Sequence, residues 1–216
     1  MEPTGTGPEV RRATRADVRS LAAVLTRAFD DDPLAAFVFS GQRRQRLGLH
    51  SYFTHQIRRQ YLPAGSVYTT EGRQGAALWG PPNQGAPNWR TLVHLLPSAF
   101  FLAGRRMAAG LRLLAEVDAL HPREPHWYLA TLGTEPAWQG MGIGSSLLVA
   151  GLEQVDQSGL PAYLESSKER NVPFYARYGF EVVDVLHSVP GAPPLWRMWR
   201  TPRGFGSSTS ARWPQP

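Results

Sequence analysis

Cysteine is absent from the 216 residues, and that single absence removes disulfides, thiolate metal centres and a cysteine nucleophile. Nothing in the chain calls for an oxidising compartment, so a cytoplasmic location is expected. An apolar leader is missing as well: Met1 to Pro8 is Gly, Pro and Thr with one Glu, so residues 1–9 read as a disordered start and not as a signal peptide. Long hydrophobic runs are lacking too. The stretch from Leu92 to Leu120 is broken by His94, Pro97, Arg105, Arg106 and Arg112, short of the roughly 20 uninterrupted apolar residues that a membrane span needs. No membrane partner is expected. Charged residues are only 19% against 42% hydrophobic, which leaves enough apolar material for a substantial core. The net charge of +6 invites a nucleic-acid reading, but the arginines are scattered. No aromatic-interleaved basic strand or zinc spacing accompanies them, so nucleic acid is not expected as a partner. An anionic small molecule uses positive charge equally well.

What is present is an alternation of helix and strand signals. Val10 to Thr14 reads as a first strand, and Thr14 three residues ahead of Asp17 reads as a capping box. Val18, Leu21, Ala22, Leu25 and Phe29 then recur at helical spacing. The run Asp30 to Asp32 ends that helix and caps the next, with Pro33 at its first position; helix continues to about Tyr61 with a break near Gly41. Ser66–Glu71 and Gly75–Trp79 read as a hairpin turning at Gly72. A Pro-rich loop follows, then helix from Asn88 to Leu120 interrupted at Pro97. Strand Trp127–Thr134, helix Gly142–Gln157, buried strand Ala162–Glu165, short helix Asn171–Tyr178 and strands Glu181–Val189 and Leu195–Thr201 complete the pattern. The Pro, Ser and Gly tail from 202 to 216 reads as disordered. The central strand–loop–helix–strand unit implies a right-handed crossover in an α/β domain, and residues 10–201 are expected to form one domain.

The loop inside that unit carries chemistry. Gln139-Gly140-Met141-Gly142-Ile143-Gly144-Ser145 places three glycines at alternate positions between a strand and a helix. Glycine permits positive φ and lets backbone N–H groups approach a ligand with no Cβ in the way. Free amides at a helix start sit at the positive end of its dipole, which makes a phosphate cradle from backbone alone. A P-loop would need a lysine where Gly144-Ser145 has none, and the dinucleotide fingerprint would need glycine at Ser145. Taken alone, the loop leaves open a glycine-rich turn with no ligand.

Further along, Asn171-Val-Pro-Phe-Tyr175-x-x-Tyr-Gly179-Phe180 follows in order. Together with Gln139-x-x-Gly142-x-Gly144, this resembles the GCN5-related N-acetyltransferase superfamily. The resemblance covers Glu124 to Glu181 strongly and the N-terminal helices loosely. Pro125 to Gly133, the loop, Leu164-Glu-Ser-Ser and Asn171-Val-Pro-Phe-Tyr look similar to puromycin N-acetyltransferase-like enzymes. The resemblance implies a single domain with a mixed, mostly antiparallel sheet flanked by helices and a splayed strand pair at the cofactor site. It implies acetyl-CoA as cofactor, with Leu132, Gly133 and Thr134 pairing with its pantetheine arm as an added strand would. It places the pyrophosphate on Gln139 through Ser145, with Asn171 and Phe174 meeting the cofactor again. Tyr175 takes the position of the general acid that protonates the departing thiolate. Some members carry a glutamate early in the strand before the loop, where this chain has Tyr128. The general base is therefore open: Glu165 is the first candidate, followed by His121, His126 and Asp32.

The expected reaction is acetyl transfer to a primary amine of a small molecule, an antibiotic or another amine metabolite, by direct attack, in a monomer or homodimer. Two alternatives stand beside it: a protein or peptide N-acetyltransferase, and a non-catalytic acyl-CoA-binding regulatory domain. Trp79, Trp89, Phe100, Phe101 and Trp127 are candidates for an apolar acceptor pocket, and the insertion 81–120 for shaping substrate choice.

Overall fold

The computed structural model describes residues 8–39, 41–82 and 107–202. Seven strands form one open sheet in the order β1-β2-β3-β4-β5-β7-β6: β1 (Val10–Arg12), β2 (Val67–Thr70), β3 (Gly75–Gly80), β4 (Trp127–Thr134), β5 (Ala162–Ser166), β6 (Glu181–Leu186) and β7 (Leu195–Arg200). Every neighbouring pair is antiparallel except β4 and β5. Those two are parallel because the glycine loop and a 16-residue helix connect them, and a parallel pair requires such a crossover.

The helices are α1 (Val18–Ala28), α2 (Pro33–Val38), α3 (Gln42–His55), α4 (Met107–Ala119), α5 (Ile143–Ser158) and α6 (Val172–Ala176). A π-helical turn, Gln56–Tyr61, prolongs α3. The local signals behind these elements act as read. Thr14 N–H donates to Asp17 Oδ2 at 2.8 Å, and Asp32 Oδ1 accepts from the Ala35 amide at 2.9 Å as the cap of α2. In the β2–β3 hairpin the left-handed residue is Arg73, φ +56°, and not Gly72. That conformation costs a non-glycine residue about 1 kcal/mol. Arg73 has a reason to bear it, since its Nε lies 2.5 Å from the buried Asp17 carboxylate.

Each face of the sheet carries its own core. On one, α5 and α6 cover Trp79, Trp127, Leu129, Leu164 and Met198; on the other, α1 and α3 cover Ala76, Leu78, Val67 and Tyr61. Trp79 lies flat against α5 at Gly151, where an added Cβ would come within 2.0 Å of the indole nitrogen. Trp79 and Trp127 are thus core residues of the α5 face, not pocket lining; Trp127 also donates to Ser158 Oγ at 2.9 Å. Trp89, Phe100 and Phe101, and residues 83–106 of the 81–120 segment, lie outside the described residues. Among the described residues no helix is long and apolar enough to cross a membrane.

Candidate active site

Strands β4 and β5 begin as neighbours and then part. Their register runs only through Trp127↔Ala162 and Tyr128↔Tyr163. Beyond that point β5 pairs with β7 alone, and β4 from Leu129 to Thr134 pairs only with β3. A bulge at Ala130, between the pairs Leu78↔Thr131 and Trp79↔Leu129, bends β4 where the opening begins; bulges sharpen local bend and twist. The edge of Leu132, Gly133 and Thr134 that faces β5 thus has no strand partner among the described residues. The missing side chain of Gly133 serves a different neighbour: a Cβ there would meet Leu25 Cδ2 at 2.7 Å and Ala28 Cβ at 3.1 Å, so this glycine lets α1 seat against the sheet.

The glycine loop sits at the mouth of the opening. Gly140 and Gly142 have φ of +79° and +80°, a region that favours glycine, and an added Cβ at either would meet nothing within 4 Å. Gln139 through Gly142 are exposed, and Met141 is 62% exposed. Among the described residues, no backbone carbonyl accepts from the amides of residues 140–145; the first such bond in α5 is Ser146 N–H to Gly142 O at 3.0 Å. A stretch of free amides at a helix start is an anion site by geometry and by dipole. Thr134 Oγ1 and Phe174 Cζ stand 3.5 and 3.9 Å from where a Gly144 Cβ would be, so β4, the loop and α6 converge there. Gln139 anchors the loop by donating to the Thr134 carbonyl at 3.2 Å. Asn171 stands at the N-terminal boundary of α6, where its side chain makes no capping bond.

Tyr175 lies on α6, buried in the α5-face core with Ile143, Leu147 and Phe180, its ring 5.1 Å from Phe174. Burial pushes its phenol up from the ordinary tyrosine value, so the group stays protonated at neutral pH. The segment leading to α6 is tied across the molecule to the α1–α2 turn: Lys168 Nζ and an Arg170 Nη are each 2.5 Å from Asp31, and Ser167 Oγ donates to Asp32 Oδ2 at 2.5 Å. Asp32 thereby both caps α2 and joins it to the segment before α6.

Glu165 points to the opposite face. Its Oε2 accepts from Tyr128 Oη on the adjacent strand at 2.7 Å. Its Oε1 is buried without a hydrogen-bond partner among the described residues, as are Tyr61 Oη and Gln56 Oε1. Buried polar atoms left unpaired cost about 1–3 kcal/mol each, and three in one neighbourhood mark an environment built for something else. Burial, reinforced by the Glu165 charge, pushes the Tyr61 and Tyr128 phenols well up, so both remain donors. Gln56 and Tyr61 belong to the π-helical turn, a distortion frequent at functional sites. Sequence reading missed them. The available signal was polar side chains at 52, 56 and 61 on a helix face that also carries Phe53 and Ile57.

A family model for the acetyltransferase (GNAT) family matches residues 68–180, more than half of the chain, spanning β2 through the end of α6. The chain belongs to the acetyltransferase (GNAT) family. An uncharacterized N-acetyltransferase of Schizosaccharomyces pombe is 29% identical over 180 residues, 79% of this chain and 73% of that protein. The mycothiol acetyltransferase of Nocardiopsis dassonvillei is 34% identical over 104 residues, 44% of this chain but 32% of that protein. Among solved structures, a histone acetyltransferase HPA2 and related acetyltransferase from Corynebacterium glutamicum superimposes with a TM-score of 0.71 at 28% identity, covering 94% of this chain and 100% of that one. The seven-stranded open sheet flanked by helices is the GNAT fold that the motifs implied, and this GNAT chain is accordingly an acyltransferase.

Proposed function

We propose that this acetyltransferase carries the acetyl group of acetyl-CoA to a primary amine of a small molecule, within a single domain formed by residues 10–201. One observation carries the reading: the sheet opens between β4 and β5 beside a run of amides to which no backbone carbonyl of the described residues is bonded. The open space where Gly140 and Gly142 lack a Cβ fits the pyrophosphate of acetyl-CoA. Gln139 through Ser145 grip that pyrophosphate, the free edge of Leu132, Gly133 and Thr134 pairs with the pantetheine arm, and Asn171 and Phe174 flank it. Bound acetyl-CoA supplies an activated thioester.

Tyr175 holds a proton at Oη for the departing sulfur. A free thiol titrates near 8.5 and tyrosine near 10, so the transfer is uphill by about 2 kcal/mol before burial acts. Burial raises the phenol, and it raises a thiol in the same apolar surroundings too; the gap stays small enough for a positioned donor. Glu165 accepts the proton that the attacking ammonium must lose, since an amine with a pKa near 10.4 is almost wholly protonated at pH 7. The buried, unpartnered atoms of Gln56, Tyr61 and Glu165 favour a small acceptor over a protein segment lying in an open groove, and residues 81–120 shape that choice.

The test is thiol release from acetyl-CoA against a panel of small primary amines, puromycin included for the motif resemblance, beside lysine-bearing and N-terminal peptides. Turnover on small amines alone is expected. Turnover on peptides alone replaces the acceptor class, and acetyl-CoA binding without turnover on any amine makes the chain a regulatory acyl-CoA binder.

A further inference from the structure

Beneath α4, on the side of the sheet away from α5, two histidines and the Glu165 carboxylate form a line whose protons can be assigned. His126 Nδ1 is 2.6 Å from the Glu124 carbonyl oxygen. A carbonyl only accepts, so this nitrogen carries hydrogen. The other ring nitrogen, Nε2, is 3.0 Å from His121 Nε2, and one of that pair must donate. Burial pushes His126 down to about 4, so at neutral pH it has a single ring proton, already given to Glu124. His126 Nε2 is therefore the acceptor and His121 Nε2 carries the hydrogen. A neutral His121 is then bare at Nδ1, which lies 3.8 Å from Glu165 Oε1, both side chains being less than a tenth exposed.

The consequence is a buried pair of acceptors facing each other: among the described residues Glu165 Oε1 has no hydrogen-bond partner, Oε2 accepts from Tyr128, and the Tyr163 hydroxyl is the other phenol beside the carboxylate. The distance is too short for a bridging water, which would need about 2.8 Å on each side in near-linear arrangement. With His121 neutral and Glu165 ionised, the pair has room for one proton. We propose that His121, its tautomer set by His126, is the terminus to which Glu165 relays the proton released by the substrate ammonium. The inference rests on the acetyl-transfer reading above and deepens its base step.

The step balances. An ammonium N–H bond breaks as Glu165 gains hydrogen at Oε1, leaving the amine its lone pair for attack. That O–H bond then breaks as His121 gains hydrogen at Nδ1, and the imidazolium sits beside the restored carboxylate. The charged and titratable neighbours are compatible. Tyr128 on β4 and Tyr163 on β5 pack edge-on against the His121 ring. Arg197 on β7, the cross-strand neighbour of Glu165, donates to the Leu120 carbonyl, to Tyr163 Oη at 3.0 Å and to Asp184 on β6 at 2.9 Å. His126 is a positioning residue: it touches no substrate and acts by choosing which nitrogen of His121 is bare.

The experiment is nitrogen-15 NMR of the histidine side chains in the full chain, needing no acceptor, paired with amine-acetylation kinetics. Wild type is expected to show His121 as the Nε2–H tautomer and His126 as Nδ1–H at neutral pH. His126→Phe keeps the ring packing against Tyr163 and Trp199 but removes the acceptor; His121 should then turn to Nδ1–H, and kcat should fall about tenfold with acetyl-CoA affinity unchanged. His121→Asn should lower kcat by about 100-fold, the lower range of a lost acid–base group, and should remove the acid limb of the pH–rate profile. An Nδ1–H tautomer in a wild-type chain that acetylates amines overturns the relay alone, as does wild-type turnover by His121→Asn. A chain that binds no acetyl-CoA overturns the acetyl-transfer reading, and the relay with it.

Discussion

The two sides of the β4–β5 opening are built by different means. On one side the glycine loop offers consecutive main-chain amides, exposed from Gln139 to Gly142 and bonded to no backbone carbonyl among the described residues from 140 to 145, and side chains matter there chiefly by being absent. On the other side Gln56, Tyr61, Tyr128, His121, His126 and Glu165 converge from three separate stretches of chain into a buried polar cluster. A backbone site reads charge and distance and suits the invariant part of a ligand. A side-chain site can be reshaped residue by residue and suits the part that varies. Side chains can thus change on one side of the opening while the backbone cradle on the other is kept.

The contrast can be broken most forcefully at the loop. Gly142→Glu puts a carboxylate where the amides await an anion and forces a non-glycine into φ +80°; acetyl-CoA affinity should fall by more than about 1000-fold, as isothermal titration would read, with the fold intact because a Cβ there meets nothing. Near-normal binding would mean that the donor lies elsewhere.

On the buried side the expected signature is a dependence on pH. His126 has a folded pKa near 4 against about 6.5 unfolded. Below 6.5 the unfolded chain binds the extra proton, so the contribution is complete above that pH and fades as pH falls toward 4. The loss amounts to about 3 kcal/mol at most. His126→Phe should flatten the fall in Tm between pH 6.5 and 4 relative to wild type, and parallel curves would show that this histidine does not titrate as its burial requires.

Next in size is the junction between the two sides. Tyr175→Phe should lower kcat by about 100-fold with acetyl-CoA affinity preserved; an unchanged kcat would make Tyr175 a core aromatic of the α5 face and nothing more.

The smallest effect belongs to the scaffold. Asp17 is 1% exposed and joins β1, the start of α1 and the β2–β3 turn through Thr14, Arg11 and Arg73. Its arginine partners hold its carboxyl well below the usual range, so its stabilisation is complete above about pH 4 and is lost in stronger acid. Asp17→Asn should cost about 2 kcal/mol, less than a fully buried pair because both arginines retain solvent, and chemical denaturation would measure it. Catalysis at both sides of the opening should persist.

Legibility followed the same division. Strand Trp127–Thr134 was read to the residue, and the helix after the loop began one residue late, because alternating burial and a glycine run are local signals. The cap at Asp32 was equally local, a carboxylate just ahead of Pro33. The turn containing Gly72 lies where it is expected, but nothing local marks Arg73, whose left-handed φ answers to Asp17, 56 residues away. Trp79 and Trp127 could not be told from pocket residues by type, since only the packing of α5 over β3 and β4 decides which face they occupy.

From the sequence by itself came the α/β order, the amide-lined loop and the place of Tyr175 in the motif, for each depends on residues within a few positions of one another. Tertiary structure alone decided that β4 and β5 part after Tyr128 and that Tyr128 hands its bond to Glu165. Those are meetings of side chains from distant segments. Periodicity shows which face a residue seeks, but the partner it finds there is set by how the elements pack.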